Sequence, residues 1–371
     1  MDKGTTIINY LGEKIGSGGI ESFVANLSTG MREEGINYLV VANVRGTSIY
    51  EKKIVNNGGR VIYLSEQRVD YLSKLNKLIK YIKNYPEAIV YFHASNPGLL
   101  FYCFLVKLSG NNRIVYHVHS TKSPYMSIAK RLKYELICFL FGRIPRINVA
   151  CSDKAGHDLF NNRPYQIVHN GIDIDRFRFN AERRIKTRTQ YGWETDFVIM
   201  QIGRLSPEKN HEFSLKVYTK FLKNHPNSIM VFVGDGGEKQ KLEQTTKHNH
   251  LDGHVQFIQA STEIEWLYSA ADLLLFPSIY EGLGIVAVEA QASGLPIICS
   301  QNIVDEVTIS SFIEKIPLND EMRWIEKMNA VARSYIDRES QSEEGMAACK
   351  KAGFSINKAH DELVSIYNRL K

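Results

Sequence analysis

The chain has 371 residues, 44% of them hydrophobic and 23% charged, with a formal net charge of +6. That length exceeds what one compact core organises and suits two domains, and the composition excludes a low-complexity or fibrous protein. No apolar run reaches the roughly 18 residues a spanning helix needs, the start MDKGTTIINYLGEKIG lacks the layout of a secretory signal, and five scattered cysteines without a C-x-x-C pair speak against a disulfide framework or structural zinc.

A cytoplasmic address is therefore expected. Charge is unevenly spread: residues 1–175 carry 22 Lys and Arg against 14 Asp and Glu, a net +8, while the remainder has 24 against 26, a net −2. A basic half suits an anionic partner such as a phosphate group or an acidic membrane surface, or else is a solvated face.

Short apolar runs alternate with helical patterns along the chain. Strands are expected at Thr5–Tyr10, Tyr38–Asn43, Arg60–Leu64, Ala88–Phe92, Arg113–Val118, Ile147–Cys151 and Tyr165–Val168. Helices fall between them, including Glu21–Glu34, Tyr71–Asn84, Met126–Phe141 and Asp153–Phe160. The rhythm resumes with strands at Phe197–Ile202, Ser228–Val233, His254–Ile258, Leu273–Pro277 and Pro296–Ser300. Such alternation implies an α/β protein with parallel sheets covered on both faces. The polar, charged stretch 170–196, opening on an Asn-Gly turn signal, reads as the linker between two domains. The final INKAHDELVSIYNRLK reads as an amphipathic helix. Two α/β domains so joined leave a cleft at the carboxyl ends of their sheets, where ligands of open α/β folds bind.

Four segments are candidates for chemistry. In PSIYEGLGIVAVEAQASGLPII (277–298), Glu281 and Glu289 stand eight positions apart among apolar and small residues. A helix from about Leu283 to Ser293 is ended by Gly294 and Pro296. Its start at Gly282-Leu283-Gly284 presents free backbone N–H groups and a positive dipole end, an anion site. Glu281 stands at the mouth of that site. Glu289, one and a half turns inside, either accepts hydroxyl hydrogen bonds from the same ligand or pairs with an internal base. In QIGRLSPEKNHEF (201–213), Arg204 and Lys209 follow a strand end, where two cations suit a diphosphate or form a solvated loop. GSGGIES (16–22) is a poor match to the dinucleotide fingerprint, having Glu21 for its third glycine and no acidic residue near VVANVR, yet its loop suits a phosphate. VGDGGEKQKLE (233–243) is a further glycine-rich turn, able to pack against a flat base. In VYHVHS (115–120), His117 and His119 share one face of a strand end. Two histidines lack a third metal ligand in the sequence, so a polar contact from His119 to substrate is the functional alternative to a structural role.

Together these segments resemble glycosyltransferase family 4, retaining enzymes of the GT-B fold. The motif that carries the likeness is E-x7-E, Glu281 to Glu289, followed by ASGLPII. GRLSPEKN, VHNGID, VGDGG and the early GGIE agree in order and approximate spacing, and the closest flavour is the capsule and exopolysaccharide branch typified by EpsF. QNIVDEVTISSF, after Ser300, departs from the family in lacking a glycine pair.

The resemblance implies two Rossmann-like domains with parallel sheets facing a central cleft: residues 1–175 for the acceptor, 176–350 for the nucleotide-sugar donor, and a C-terminal helix, 351–371, returning to the first domain. It implies that Arg204 and Lys209 hold the donor diphosphate and that Glu289 binds the ribose. Glu281 would meet the transferred sugar and the distal phosphate together with Leu283 and the backbone of Gly284 and Ile285. Gly18 and Gly19 would close over the diphosphate, and His119 would sit near the sugar and acceptor. The expected donor is a UDP-sugar, with GDP as alternative, and the acceptor a saccharide or lipid-linked hydroxyl. No metal, no cofactor and no nucleic acid are expected. Residues 122–146 (KSPYMSIAKRLKYELICFLFGRIPR), with six Lys or Arg and one Glu among apolar side chains, either lie on an anionic bilayer or pack their apolar side on the sheet. Rival readings are a UDP-sugar epimerase of the same architecture, which needs no acceptor, and a non-catalytic nucleotide-sugar-binding scaffold; a dehydrogenase is disfavoured by the broken fingerprint.

Overall fold

The computed structural model describes residues 4–370 apart from Glu13, Ser17, Thr47, residues 67–69, Thr262 and the side chain of Tyr71. Ser17 of the GSGGIES loop thus lies outside the described residues. Two compact units emerge, one of Met1–Ile172 with Ile356–Lys371 and one of Asp173–Ser355.

The first unit holds strands β1 (Thr6–Tyr10), β2 (Asn37–Val44), β3 (Arg60–Ser65), β4 (Ile89–Ala94), β5 (Ile114–Val118), β6 (Ile147–Ala150) and β7 (Gln166–Ile167). Between them run α1 (Gly19–Leu27), α2 (Glu51–Asn56), α3 (Tyr71–Lys83), α4 (Leu99–Leu108), α5 (Ile128–Phe141) and α6 (Asp153–Phe160). The strands pair in parallel in the order β3-β2-β1-β4-β5-β6-β7. β4, IVYFHA, is buried along its whole length, as a strand covered on both faces must be.

The second unit opens with α7 (Ala181–Tyr191) and continues through β8 (Phe197–Ile202), α8 (His211–Leu222), β9 (Ser228–Val233), α9 (Lys239–His248), β10 (Val255–Ile258) and α10 (Ile264–Ala270). It ends with β11 (Leu273–Phe276), α11 (Ile285–Ala292), β12 (Ile297–Ser300), β13 (Ile313–Ile316), α12 (Glu321–Arg333) and α13 (Arg338–Ala352). Its parallel sheet runs β10-β9-β8-β11-β12-β13. Both sheets therefore reverse direction between their first and fourth strands, the switch point at which open α/β sheets bind ligands. Each unit is Rossmann-like, as the resemblance implies for GT-B. The last helix, α14 (Ile356–Asn368), counts with the first unit, where Ala359, Leu363, Ile366 and Tyr367 form one stripe in its core.

Besides the helix expected at Glu21–Glu34, which ends as α1 at Leu27 with turns over 28–35, two stretches differ from the sequence expectation. The stretch 170–196 is no open linker, since α7 forms within it. This helix has almost no apolar side; it is held by arginines. Arg184 and Arg188 each place an Nη2 2.5 Å from the Asp272 carboxylate, which also accepts the Val198 N–H at 2.8 Å. Arg184 Nη1 and Arg188 Nε further donate to the Ala270 carbonyl at the end of α10, each at 3.0 Å. Burial pulls the Arg188 guanidinium below its usual pKa, and Asp272 opposes that pull. The second difference is β13. Its IEKI is polar in the middle and lies at the sheet edge, so it shows no apolar run. The loop before it is fixed by Gln291 of α11, whose Oε1 accepts the N–H groups of Ile309 at 3.2 Å and Ser310 at 3.0 Å.

All three tryptophans, Trp193, Trp266 and Trp324, lie in the second unit, so their fluorescence reports its unfolding. Asp272→Ala strands two partly buried guanidiniums and is expected to destabilise this unit by about 3 kcal/mol in a urea titration followed by that signal. A midpoint equal to that of the parent chain would show that α7 is held otherwise.

Candidate functional site

At the carboxyl end of the second sheet, the turns after β8 and β9 are clasped backbone to backbone. Leu205 N–H donates to the Asp235 carbonyl, and Glu238 N–H to the Leu205 carbonyl, both at 3.0 Å. The contact is so close that a Cβ on Gly234, whose φ is +147°, would lie 2.0 Å from the Gly203 carbonyl oxygen. VGDGG thus packs its backbone on GRL, a role the sequence reading did not give it.

The GRLSPEKN turn is in turn tied to the segment after β11. Ile279 N–H donates to the Glu208 carbonyl at 2.8 Å, and Asn210 Nδ2 to the Pro277 carbonyl at 3.3 Å. Gln201 Nε2 fixes the Lys209 carbonyl at 2.7 Å. These bonds bring Lys209 Nζ to 2.5 Å from Glu281 Oε1, a largely buried ion pair. The ammonium lies 5.8 Å from the centre of the Phe276 ring, and the same ring faces Gly284. Gly284, at φ +90°, is the N-cap of α11 and brings no side-chain cap. Ala287 N–H already donates to the Gly284 carbonyl at 2.9 Å, so the donors left at the start of α11 are those of Ile285 and Val286, which lack an intrahelical or side-chain cap partner among the described residues. Cation, carboxylate and helix N-terminus occupy one corner, a charge arrangement that suits an anion bearing hydroxyl groups. Leu283, by contrast, is buried as packing. Arg204 is exposed and makes no ion pair among the described residues.

Glu289 lies on α11 and accepts the Tyr268 hydroxyl on Oε2 at 2.7 Å. Of the two alternatives open from sequence, no ion pair of Glu289 with an internal base occurs among the described residues, and Arg176, a nearby cation, gives its Nη2 to Glu265 at 2.6 Å. Burial raises the Glu289 carboxyl to about 7, against the Tyr268 hydrogen bond and the Arg176 charge, which lower it. Tyr268 and Arg176 escaped sequence reasoning because neither stands in a motif; only the fold brings α10 and the turn at 175–177 against α11.

In the first unit, Gly18 is the N-cap of α1, and Gly19 begins it. Glu21 folds back so that its Oε1 accepts the Gly16 N–H at 3.1 Å, closing the GGIE turn on itself. His119 follows β5 and is buried with His117 and, on the neighbouring strand, His93. A chain of contacts runs from Asn9 Oδ1 to His93 Nε2 at 3.1 Å, from His93 Nδ1 to His119 Nε2 at 3.0 Å, and from His119 Nδ1 to Asn170 Oδ1 at 3.0 Å, an amide whose oxygen and nitrogen can exchange places. Burial holds His93 well below its usual pKa and His119 down at about 3. Both rings are therefore neutral, and two N–H groups serve three links. Asn9 Nδ2 is committed to the Leu39 carbonyl at 3.3 Å, which leaves its oxygen for His93. His93 then donates from Nε2 and accepts from His119, so the third proton must come from the Asn170 amide with its N–H turned to the ring.

His93 is the third histidine that spacing within VYHVHS did not reveal; parallel pairing places it beside His117. One ligand nitrogen from each of the three falls within 4.8 Å of the others, close enough to hold a cation. Two of those rings nevertheless share a hydrogen bond along a chain that ends in asparagines, the pattern of a side chain held in one tautomer.

Residues 17–176 match the family model described as Glycosyltransferase Family 4, and residues 183–345 match Glycosyl transferases group 1. EpsF of Bacillus subtilis (strain 168) is 27% identical over 95% of this chain and 93% of its own. The UDP-Gal:alpha-D-GlcNAc-diphosphoundecaprenol alpha-1,3-galactosyltransferase of Escherichia coli is 25% identical over 80% of this chain and 79% of its own. Among solved structures, Anabaena HepE in complex with UDP and glucose aligns over 97% of this chain and 99% of its own, with a TM-score of 0.80 at 20% identity. WaaG, a glycosyltransferase involved in lipopolysaccharide biosynthesis, aligns over 96% and 99% with a TM-score of 0.74 at 18% identity. With both family models matched in order and two Rossmann-like units beneath them, the chain belongs to the family 4 glycosyltransferases of the GT-B fold.

Proposed function

We propose that this glycosyltransferase moves a sugar, with retention of its anomeric configuration, from a UDP-sugar to a hydroxyl of a saccharide or lipid-linked acceptor in bacterial surface-polysaccharide synthesis, working at the inner face of the cell membrane. The observation that carries the reading is the Lys209–Glu281 ion pair beside the uncapped start of α11. Support for UDP comes from relatives: HepE was solved with it, and the Escherichia coli galactosyltransferase is named for a UDP-sugar.

In this reading Lys209, Arg204 and the N–H groups of Gly284 and Ile285 hold the diphosphate. Glu289 accepts ribose hydroxyls, and Glu281 accepts a hydroxyl of the transferred sugar. Gly18 and Gly19 cover the diphosphate, and the neutral His119 meets the sugar or the acceptor through Nδ1 by giving up its contact with Asn170, since His93 and Asn170 otherwise occupy both ring nitrogens. The bond from the anomeric carbon to the diphosphate oxygen breaks with its electron pair leaving on phosphate. The acceptor oxygen bonds to the same carbon from the same face, and its proton passes to a phosphate oxygen. Cations and the helix dipole stabilise the charge that develops on the leaving group, so no divalent metal is required.

Release of UDP from a panel of UDP-sugars, scored with and without saccharide acceptors, tests the reading; release that ignores the acceptor would favour an epimerase or hydrolase. Glu281→Gln is expected to keep UDP affinity within a few-fold and to lower transfer about 100-fold, whereas unchanged transfer would remove Glu281 from the reaction. Activity is expected to persist in EDTA; loss restored by magnesium would overturn metal independence.

Glu289 supplies a pH test. Its folded value of about 7 lies above the ordinary 4.5, so ionising it costs stability. That cost grows as pH rises from the lower value to the higher and persists above, and Glu289→Gln should remove about 1–3 kcal/mol of it at alkaline pH. Hydroxyl donors prefer the ionised form, so UDP-glucose affinity, relative to that of Glu289→Gln, is expected to fall as pH drops through about 7. Parallel pH curves for the two proteins, by calorimetry, would exclude the assigned ribose contact.

A further inference from the structure

Helix α5 is built inside out. Only Tyr134 and Cys138 are fully buried, with half-buried Ile137 and Phe141 beside them, Phe141 packing on Phe101 and Phe104 of α4. Ile128, Leu132, Leu136, Phe139 and Leu140 follow one another at helical spacing along the opposite face, with Ile128 80% and Phe139 79% exposed. Exposed Tyr125 precedes them. The expectation that this helix packs its apolar side on the sheet is thus not met. A contiguous exposed apolar stripe on a folded chain marks a surface meant to be covered.

The charges say by what. Lys130, Arg131 and Lys133 are exposed on the same helix; at 100° per residue Lys133 flanks the stripe on one side and Arg131 on the other, while Lys130 lies farther round. Glu135, the one acid in residues 122–146, is neutralised by an ion pair with Lys122. The face is therefore apolar along its centre and positive at its margins. A second copy laid on it about a twofold axis would bring those cations against their own images. An anionic bilayer would take the stripe into its acyl boundary and the cations among its headgroups. Among the described residues no helix is long and apolar enough to cross a membrane, so α5 would lie on the surface.

We propose that α5 is a membrane-docking helix that seats the first unit on an anionic lipid surface through Ile128, Leu132, Leu136, Phe139 and Leu140. This inference stands on the surface alone; it also explains how a lipid-linked acceptor would be met, and its test uses no donor and no turnover.

The full chain is mixed with vesicles of phosphatidylglycerol and phosphatidylcholine, or of phosphatidylcholine alone, and sedimented. The parent chain should pellet with the anionic vesicles and be released by salt, and removal of the anionic lipid should weaken binding about tenfold or more. Leu132→Ser with Phe139→Ser should abolish pelleting, and Arg131→Glu with Lys133→Glu should weaken it about tenfold or more. All substituted side chains are exposed, so near-parent thermal melts are expected and would show that lost binding is not lost folding. Three outcomes would overturn the proposal: a parent chain that stays in the supernatant, an apolar variant that pellets like the parent, or a parent dimer in sedimentation velocity that the Leu132 and Phe139 changes convert to monomer. UDP binding unchanged in the variants would keep docking separate from the donor site.

Discussion

Three guanidiniums gather on the carboxyl end of one short helix, and the second unit is organised around that gathering. Arg184 and Arg188 of α7 reach the last carbonyls of α10 and clamp Asp272, which opens β11. Arg338, at the start of α13, donates to the Ala271, Tyr268 and Ser293 carbonyls at 2.6, 3.0 and 2.9 Å. Cations at a helix C-terminus are stabilised by the partial negative charge there, and the Asp272 carboxylate pairs with two of the three. The result is a rigid base beneath β11 and α11, opposite the end where the strands open toward a ligand. Tyr268 reports the link directly: its carbonyl belongs to the arginine cluster, and its hydroxyl holds Glu289.

On that base, the other end of the sheet affords irregular backbone. Gly203, Gly234 and Gly284 all take positive φ within the three turns that meet there. Each turn is held by main-chain hydrogen bonds to the next rather than by side-chain packing, which leaves the side chains of Arg204, Lys209 and Glu281 for chemistry. The first unit solves the same problem differently, burying a row of imidazoles whose hydrogen bonds run from Asn9 to Asn170.

Much of this was legible in the chain. The β-strands of both sheets up to β12, the turn at Gly282–Gly284 and the stripe of α14 follow from apolar period and punctuation, because parallel strands buried on both faces leave no alternative pattern. Lys209 and Glu281 were picked out as site residues, though their pairing was not foreseen, since it depends on the tie between residues 207–210 and 277–281. What stayed hidden was polar. α7 is secured by charge, β13 by a buried glutamine and an edge position, and His93 by a neighbour 24 residues away in sequence. Hydrophobic periodicity is blind to elements whose burial is satisfied by hydrogen bonds, and α5 misleads it in the opposite sense, since its apolar residues face out.

The Lys209–Glu281 pair carries one more implication. Each group is the other's counter-ion, so within the folded unit neither charge of this pair is buried alone. On the proposed reading, an incoming diphosphate would draw the ammonium away and the carboxylate would turn to a sugar hydroxyl. Binding would then be an exchange of partners rather than a pure gain. Such an exchange would keep affinity moderate, and loss of the sugar would let the acid reclaim the lysine as the nucleotide leaves.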